Sequence, residues 1–260
     1  MLFFIADAGR VRYALLFNVS TPQYRRTPMN RGYAIPVSQA DPGVRAQFIK
    51  RTYTHLAFAI LVFAGLEFVL VNSPLAPALA QFMTGGMSWL LVLGAFMFVS
   101  YIADKWAFNA QNVKMQYAGL GLFVVAEAII FVPLLYIAAV RYPGVITMAA
   151  LFTLLIFGGL TFTAFTSGKD FSFLGGFLRI GGFVVLGLIA CSLLFGFALP
   201  TLLFSGAMIG FASCAILYST SNVMRHYHPG QHVAASLSLF ASVALLFWYI
   251  VQFLMALSRD

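Results

Sequence analysis

The chain has 260 residues, of which 62% are hydrophobic and only 8% are charged. This composition leaves too little polar surface to cover a globule in water, so it excludes a soluble protein and predicts a chain whose solvent is the lipid bilayer. The formal net charge is +8, but the basic residues form no patch with interleaved aromatics, so we expect no nucleic-acid partner and interpret their distribution as a topology signal.

The sequence divides into two parts. Residues 1–50 mix Pro, Gln, Arg and Ser without a sustained period, which predicts a disordered, basic cytoplasmic tail. Residues 51–260 contain apolar runs long enough to cross the hydrocarbon core, and they predict an all-α bundle of seven transmembrane helices. The predicted spans are Tyr53–Asn72, Gly86–Ala103, Tyr117–Ala139, Val145–Phe165, Leu178–Ala198, Thr201–Ser219 and Val233–Leu257.

Two acidic residues, Glu67 and Glu127, lie inside these predicted spans. Glu127 is near the middle of the third span, where an acidic residue costs roughly 2.5–3.5 kcal/mol on insertion scales. We expect its carboxyl group to face the bundle interior, protonated or paired. It is either a proton or cation relay, or a protonated acid that hydrogen-bonds two helices together. Glu67 lies near the outer end of the first span, where we expect it to reach the interface with water.

The last span carries a polar stripe. Ser238, Ser242, Tyr249 and Gln252 follow one another at increments of four, seven and three, which places them on one helix face that should point inward. The sixth span offers Ser213, Ser219 and Thr220. These hydroxyl groups either line a narrow hydrophilic seam between the sixth and seventh helices or bond carbonyls of their own helix at i−4.

Other local patterns predict no enzyme, metal site or cofactor. His226, His228 and His232 lie around a Pro-Gly loop without an acidic or thiol ligand, so we expect a solvated loop. The one histidine within a predicted span, His55, is near the cytoplasmic start of the first span, whereas Ser205 is near the opposite side of the membrane, so no histidine is placed to activate Ser205 as a nucleophile. The last span has no lysine that would form a Schiff base with retinal.

The basic residues predict the orientation of the bundle. They are crowded before the first span and in every second connection, whereas only Arg141 and Arg259 lie on the opposite side. The positive-inside rule therefore predicts a cytoplasmic N-terminus and a periplasmic C-terminus, in what the short loops suggest is a bacterial inner membrane.

Three segments carry a resemblance to a known family. Residues 164–178 read AFTSGKDFSFLGGFL and include Thr166, Ser167, Lys169 and Asp170. They closely resemble the signature loop after the fourth span in the Bax inhibitor family of seven-span proteins. Residues 119–128, GLGLFVVAEA, resemble the third span of that family, and residues 217–222, LYSTSN, resemble the end of its sixth. The C-terminal residues are particularly similar to the bacterial YccA branch.

The resemblance implies a last helix surrounded by the other helices. In members that leak calcium it also implies two aspartates, on the sixth and seventh helices, that form a pH-sensitive latch. Here those positions are Ser219 and Ser242. A hydroxyl group neither titrates near neutral pH nor supplies the anionic oxygen that calcium favours, which weakens the expectation of a pH-sensitive calcium or proton leak.

The YccA resemblance implies a different role, as a partner or slowly degraded substrate of the membrane-anchored FtsH protease, an AAA protease, in membrane protein quality control or stress response. The N-terminal tail would be the part that the protease engages. Our preferred interpretation is a regulatory, partner-binding membrane protein. An ion leak with Glu127, Ser219, Ser238, Ser242 and Tyr249 as candidate path residues is the alternative.

The orientation is testable with a reporter that is active only in the cytoplasm. Fused after Asp260 it should be silent, because the C-terminus is predicted to be periplasmic, and fused before Met1 it should be active. Strong activity of the C-terminal fusion would contradict either the number of spans or their direction.

Overall fold

The computed structural model describes residues 35–85, 87–109, 112–196 and 200–259. These residues form eight α-helices and two short 3₁₀ turns, at Val37–Gln39 and Pro229–Gln231. The helices are α1 (Pro42–Val71), α2 (Ala76–Met83), α3 (Met87–Ala107), α4 (Val113–Arg141), α5 (Val145–Thr166), α6 (Leu174–Phe195), α7 (Thr201–Arg225) and α8 (His232–Leu257).

The seven predicted spans are confirmed as α1 and α3 to α8, because seven of the helices described are long and apolar enough to cross a membrane. The short helix α2 was not predicted. The boundary drawn at residue 50 is wrong in one respect: α1 begins at Pro42, so residues 42–50 are helical and not part of a tail. Residues 1–34, which make up most of the predicted tail, lie outside the described residues.

The bundle has one end that is rich in basic residues, called here the basic end. It is the end at which α1, α4, α6 and α8 begin and α3, α5 and α7 finish. The opposite end carries Arg141 and Arg259. Basic residues at or near the basic end are Arg45, Lys50, Arg51, Lys105, Lys114, Lys169, Arg179 and Arg225.

The last helix, α8, is at the centre of the bundle, as predicted. It packs against α1, α3, α4, α5 and α7, whereas α6 packs chiefly against α7. In an apolar stretch of 18 residues within the span that contains α8, 61% of the residues are buried inside the protein. The corresponding share is 22% for α1 and 17% for α5. The polar residues of α8 therefore face protein and not lipid.

Glycines allow two of the helix pairs to approach closely. A Cβ atom added at Gly119 of α4 would lie 2.4 Å from the Ala103 carbonyl oxygen and 2.6 Å from the Ala107 nitrogen, both backbone atoms of α3. A Cβ atom at Gly181 of α6 would lie 2.8 Å from the Phe211 ring of α7. In lipid, where no hydrophobic force drives helices together, such close backbone packing is a main source of association.

Substitution of Gly119 tests this packing. Gly119→Ala should lower the free energy of unfolding by about 1–3 kcal/mol, because a rigid backbone must move to admit the methyl group. Gly121→Ala, two residues along the same helix, is the matched control, since no heavy atom lies within 4 Å of its added Cβ. Thermal unfolding in a mild detergent measures both; equal stability of the two variants would show that α3 and α4 are not in close contact at Gly119.

Candidate functional site

Three serines form a buried cluster between α7 and α8. The Ser219 hydroxyl of α7 lies 2.9 Å from the Ser242 hydroxyl of α8, and the Ser238 hydroxyl lies 3.4 Å from that of Ser219. All three side chains are 0% exposed. We call Ser219, Ser238 and Ser242 the serine cluster. The two positions that the resemblance assigns to the latch, Ser219 and Ser242, are therefore within hydrogen-bond distance of each other.

The hydrogen bonds of the cluster run in one direction. Ser242 donates to the Ser238 carbonyl oxygen at 2.9 Å, so its hydroxyl oxygen is free to accept from Ser219, and Ser219 in turn accepts from Ser238. Each hydroxyl group is thus satisfied without a charge. Ser213 instead donates to the Ile209 carbonyl oxygen of its own helix at 2.8 Å, so the i−4 alternative holds there and not for Ser219.

Glu127 lines a pocket of about 270 Å³ together with Tyr249 and Gln252 of α8. The prediction that Glu127 is buried is confirmed, since its side chain is 8% exposed. We call this space the Glu127 pocket. Its remaining lining is largely aromatic and aliphatic and includes Trp89, Phe96, Phe123, Ile130, Phe131, Phe204, Leu245 and Trp248, with Ser100 as a further polar residue.

The five candidate path residues therefore fall into two groups. Glu127 and Tyr249 share the Glu127 pocket, whereas none of the three serines lines it. The serine cluster lies in the half of the bundle nearer the basic end, and it is closed by its own hydrogen bonds. The sequence predicted the inward face of α8 but not its division into a packed half and a half that borders a pocket.

Glu67 lies near the outer end of α1, as expected, but the expectation that it reaches water is wrong. Its side chain is 5% exposed and lines a second pocket, of about 420 Å³, between α1, α4, α5 and α8. The reason lies in the buried stripe of α1, which continues through Glu67 instead of ending before it. The buried positions follow at intervals of three or four residues, and this period could have revealed the error: Phe48, Thr52, Leu56, Ala59, Phe63 and Glu67.

In the signature loop, Asp170 makes the contacts that fasten the loop to α7. Its Oδ1 atom accepts from the Ser172 amide at 2.9 Å and from the Ser221 hydroxyl at 3.1 Å. The Ser221 oxygen also accepts from the Phe171 amide at 3.0 Å. Partial burial acts to raise the pKa of Asp170, but the hydrogen bonds from Ser172 and Ser221 outweigh it and lower that pKa.

The other predicted loop residues have local roles. Thr166 donates to the Phe162 carbonyl oxygen at 2.8 Å, and the Ser167 hydroxyl accepts from the Lys169 amide at 3.4 Å. The Lys169 side chain is exposed. The Arg225 guanidinium donates to the Gly168 carbonyl oxygen, a contact that the sequence did not predict because the two residues are 57 positions apart.

The histidine-containing connection between α7 and α8, expected to be a solvated loop, is half-buried and is docked on residues 35–38. Tyr227 is 3% exposed, and its carbonyl oxygen accepts from the Val37 amide at 2.8 Å. The His228 ring contacts the Ile35 carbonyl oxygen at 3.1 Å, and the Ser38 hydroxyl donates to the Arg225 carbonyl oxygen at 2.9 Å. Within the described ranges no group of three or more potential ligand side chains is placed to hold a metal ion.

The comparison with family models identifies the class of this seven-helix protein. A model described as "Inhibitor of apoptosis-promoting Bax1" matches residues 45–259, which is most of the chain. The chain belongs to this family, and the resemblance drawn from residues 119–128, 164–178 and 217–222 is confirmed.

Individual relatives come from plants, fungi and bacteria. The chain is 26% identical to Protein LIFEGUARD 3 of Arabidopsis thaliana, over 86% of this chain and 90% of that protein. It is 28% identical to Bax inhibitor 1 of Schizosaccharomyces pombe, over 86% and 82%. It is 38% identical to the Modulator of FtsH protease YccA of Escherichia coli, but this match spans only 45% of the chain and about half (52%) of YccA.

The contribution of Asp170 can be measured through hydrogen exchange of the loop amides. Asp170→Asn should raise the exchange rates at Phe171 and Ser172 about fivefold at neutral pH, because a carboxylate acceptor is lost from a largely exposed loop. Lys169→Gln, at the adjacent exposed position, is the control and should change neither rate.

The pH dependence has a defined sign. A lowered pKa means that the folded loop favours the ionised carboxyl group, so the stabilisation is complete above the pKa of an unfolded Asp, about 3.9, and is lost as the pH falls through the lower folded value. The difference between wild type and Asp170→Asn should therefore shrink below about pH 4. A difference that is constant down to full protonation would contradict the role of the carboxylate.

Proposed function

We propose that this chain is a regulatory protein of the bacterial inner membrane that modulates a membrane-anchored AAA protease of the FtsH type. In this proposal it is not an enzyme, its N-terminus is cytoplasmic, and the residues before Ile35 present the segment that the protease engages. The single observation that carries the proposal is the neutral serine cluster. Hydroxyl groups stand where the calcium-leaking members have two carboxyl groups, so the fold is kept without the groups that titrate in the latch.

The position of the N-terminal segment supports the same proposal. At the basic end, Val37 is bonded to Tyr227 of the connection between α7 and α8, and Ser38 is bonded to Arg225 at the end of α7. The preceding residues are therefore joined to the bundle on the side that the positive-inside rule assigns to the cytoplasm, where the catalytic part of such a protease lies. The partial similarity to YccA, a protein named as a modulator of FtsH protease, supports the choice of partner.

Removal of residues 1–34 tests the proposed engagement. The full chain should co-purify with an FtsH-type protease and prolong the half-life of a competing membrane substrate. The chain that starts at residue 35 keeps the docked contacts of Val37 and Ser38, so it should unfold at the same temperature but lose co-purification. Equal co-purification of both chains would refute the role of the tail, and failure of the full chain to bind would refute the partner.

An ion leak is the second candidate, and the Glu127 pocket is the observation that favours it. A buried carboxyl group in a pocket with Tyr249 and Gln252 is the kind of intramembrane site that marks ion and proton pathways. The serine cluster argues against the pH-sensitive calcium form of this function, since its hydroxyl groups stay neutral at physiological pH.

Calcium flux through the wild-type protein, compared with a variant that has aspartates at positions 219 and 242, distinguishes the regulatory function from the ion leak. Wild-type protein in liposomes should show little calcium flux, whereas Ser219→Asp together with Ser242→Asp should show pH-sensitive flux. Two carboxyl groups at the present 2.9 Å oxygen separation must share a proton when one is protonated and repel when both ionise. Each single variant is the control. Robust pH-gated flux in wild type, abolished by Glu127→Gln, would favour the leak.

A further inference from the structure

The pocket that contains Glu67, called here the Glu67 pocket, adjoins the Glu127 pocket and shares Ala244 of α8 with it as a lining residue. It has a volume of about 420 Å³, within the usual range of small-molecule sites. Phe63 packs edge-on against Phe131 and against Phe240, with ring centroids 5.1 Å and 5.7 Å apart. Phe131 lines the Glu127 pocket, whereas Phe63 and Phe240 line the Glu67 pocket. The lining is mainly apolar and includes Ile60, Phe63, Leu135, Ile146, Phe240 and Phe247.

The Glu67 carboxyl group is the one feature of this pocket that packing does not explain. Neither of its oxygens accepts a hydrogen bond from any described residue, although the side chain is 5% exposed. The other polar groups of the pocket have local partners: Thr153 donates to the Ala149 carbonyl oxygen at 2.7 Å, and Asn72 donates to that of Phe68 at 2.6 Å. A carboxyl group that served only to join helices would be bonded to a neighbouring helix.

The pocket opens sideways toward the bilayer. Phe68 of α1 and Leu154 of α5 line it, and their side chains are 73% and 55% exposed on the outer surface of the bundle. Glu67 lies about one turn before the end of α1, and Ile146 lies in the first turn of α5, so the polar part of the pocket is near the end opposite to the basic end. A ligand that reaches it from lipid would bring a polar head to this level and a hydrocarbon body to the apolar walls.

We propose that the Glu67 pocket binds a single-chain amphiphile with a primary ammonium head, in which the ammonium donates hydrogen bonds to both oxygens of Glu67. The ammonium group supplies the donors and the positive charge that a buried carboxylate requires. The alkyl chain matches the apolar lining. A phosphatidylethanolamine headgroup fits less well, since its phosphate would bring a second negative charge against Glu67.

Dodecylamine is the probe, and its saturable binding to the full chain in phosphatidylcholine nanodiscs is measured against empty nanodiscs. Wild type should bind it with one site. Glu67→Gln, which keeps the shape of the side chain, should bind at least about tenfold more weakly, because the bond to a charged acceptor is lost. Dodecanol and dodecyltrimethylammonium should bind wild type at least about tenfold more weakly as well, the first lacking the charge and the second the N–H donors.

Two further variants keep the test decisive if Glu67→Gln folds poorly. Ala150→Phe places a ring in the pocket from α5 and should block binding, whereas Leu155→Phe, on the same helix but outside the lining, should not. Binding that is equal in wild type, Glu67→Gln and Ala150→Phe would overturn the proposal. Loss of dodecylamine binding when phosphatidylethanolamine is added to the nanodiscs would overturn the choice of a free amine, and unchanged binding supports it.

Discussion

The hydrocarbon core of a bilayer offers no hydrogen-bond partners, so every polar group in the last helix must find its partner within the protein. This constraint explains why α8 is central. Ser242 and Ser236 each donate to the carbonyl oxygen four residues earlier in α8, and the bundle adds contacts to other helices: Ser242 accepts from Ser219 of α7, and Ser236 also donates to the Thr52 carbonyl oxygen of α1 at 2.8 Å. The surrounding helices can then be largely apolar and expose large side chains to lipid.

The chemical character of the serine cluster sets the functional interpretation. Two carboxyl groups in the same position would change charge with pH and would force the helices apart when both ionise. Hydroxyl groups keep one hydrogen-bonding arrangement over the physiological range. The family fold is therefore retained in a form whose central contact, between Ser219 and Ser242, has no group that titrates near neutral pH.

The sequence predicted those features that have a local signal. The spans follow from the length of the apolar runs, and the inward face of α8 follows from the spacing of Ser238, Ser242 and Tyr249. Glu127 was identified because a carboxyl group at mid-span is costly. Each of these arguments needs only one helix at a time.

The features that were missed depend on contacts between distant parts of the chain. Asp170 and Ser221 are 51 positions apart, and the docking of Ile35 on His228 spans 193. Glu67 was misplaced because its distance from the helix end was considered without the buried stripe of α1. Packing between helices decides whether a polar residue near a helix end faces water or a neighbouring helix. The spacing of apolar residues along one helix indicates this packing only in part.

The central claim is that the α7–α8 contact is neutral and does not open with pH. Its most direct test is the distance between spin labels at Leu203→Cys of α7 and Leu257→Cys of α8, with Cys191 and Cys214 replaced by alanine. Both labelled positions are exposed, at the end of the bundle opposite to the basic end. In liposomes the distance distribution should be the same at about pH 5.5 and about pH 8, and should become pH-dependent in the double aspartate variant. A pH-dependent distance in the chain that retains Ser219 and Ser242 would contradict the account.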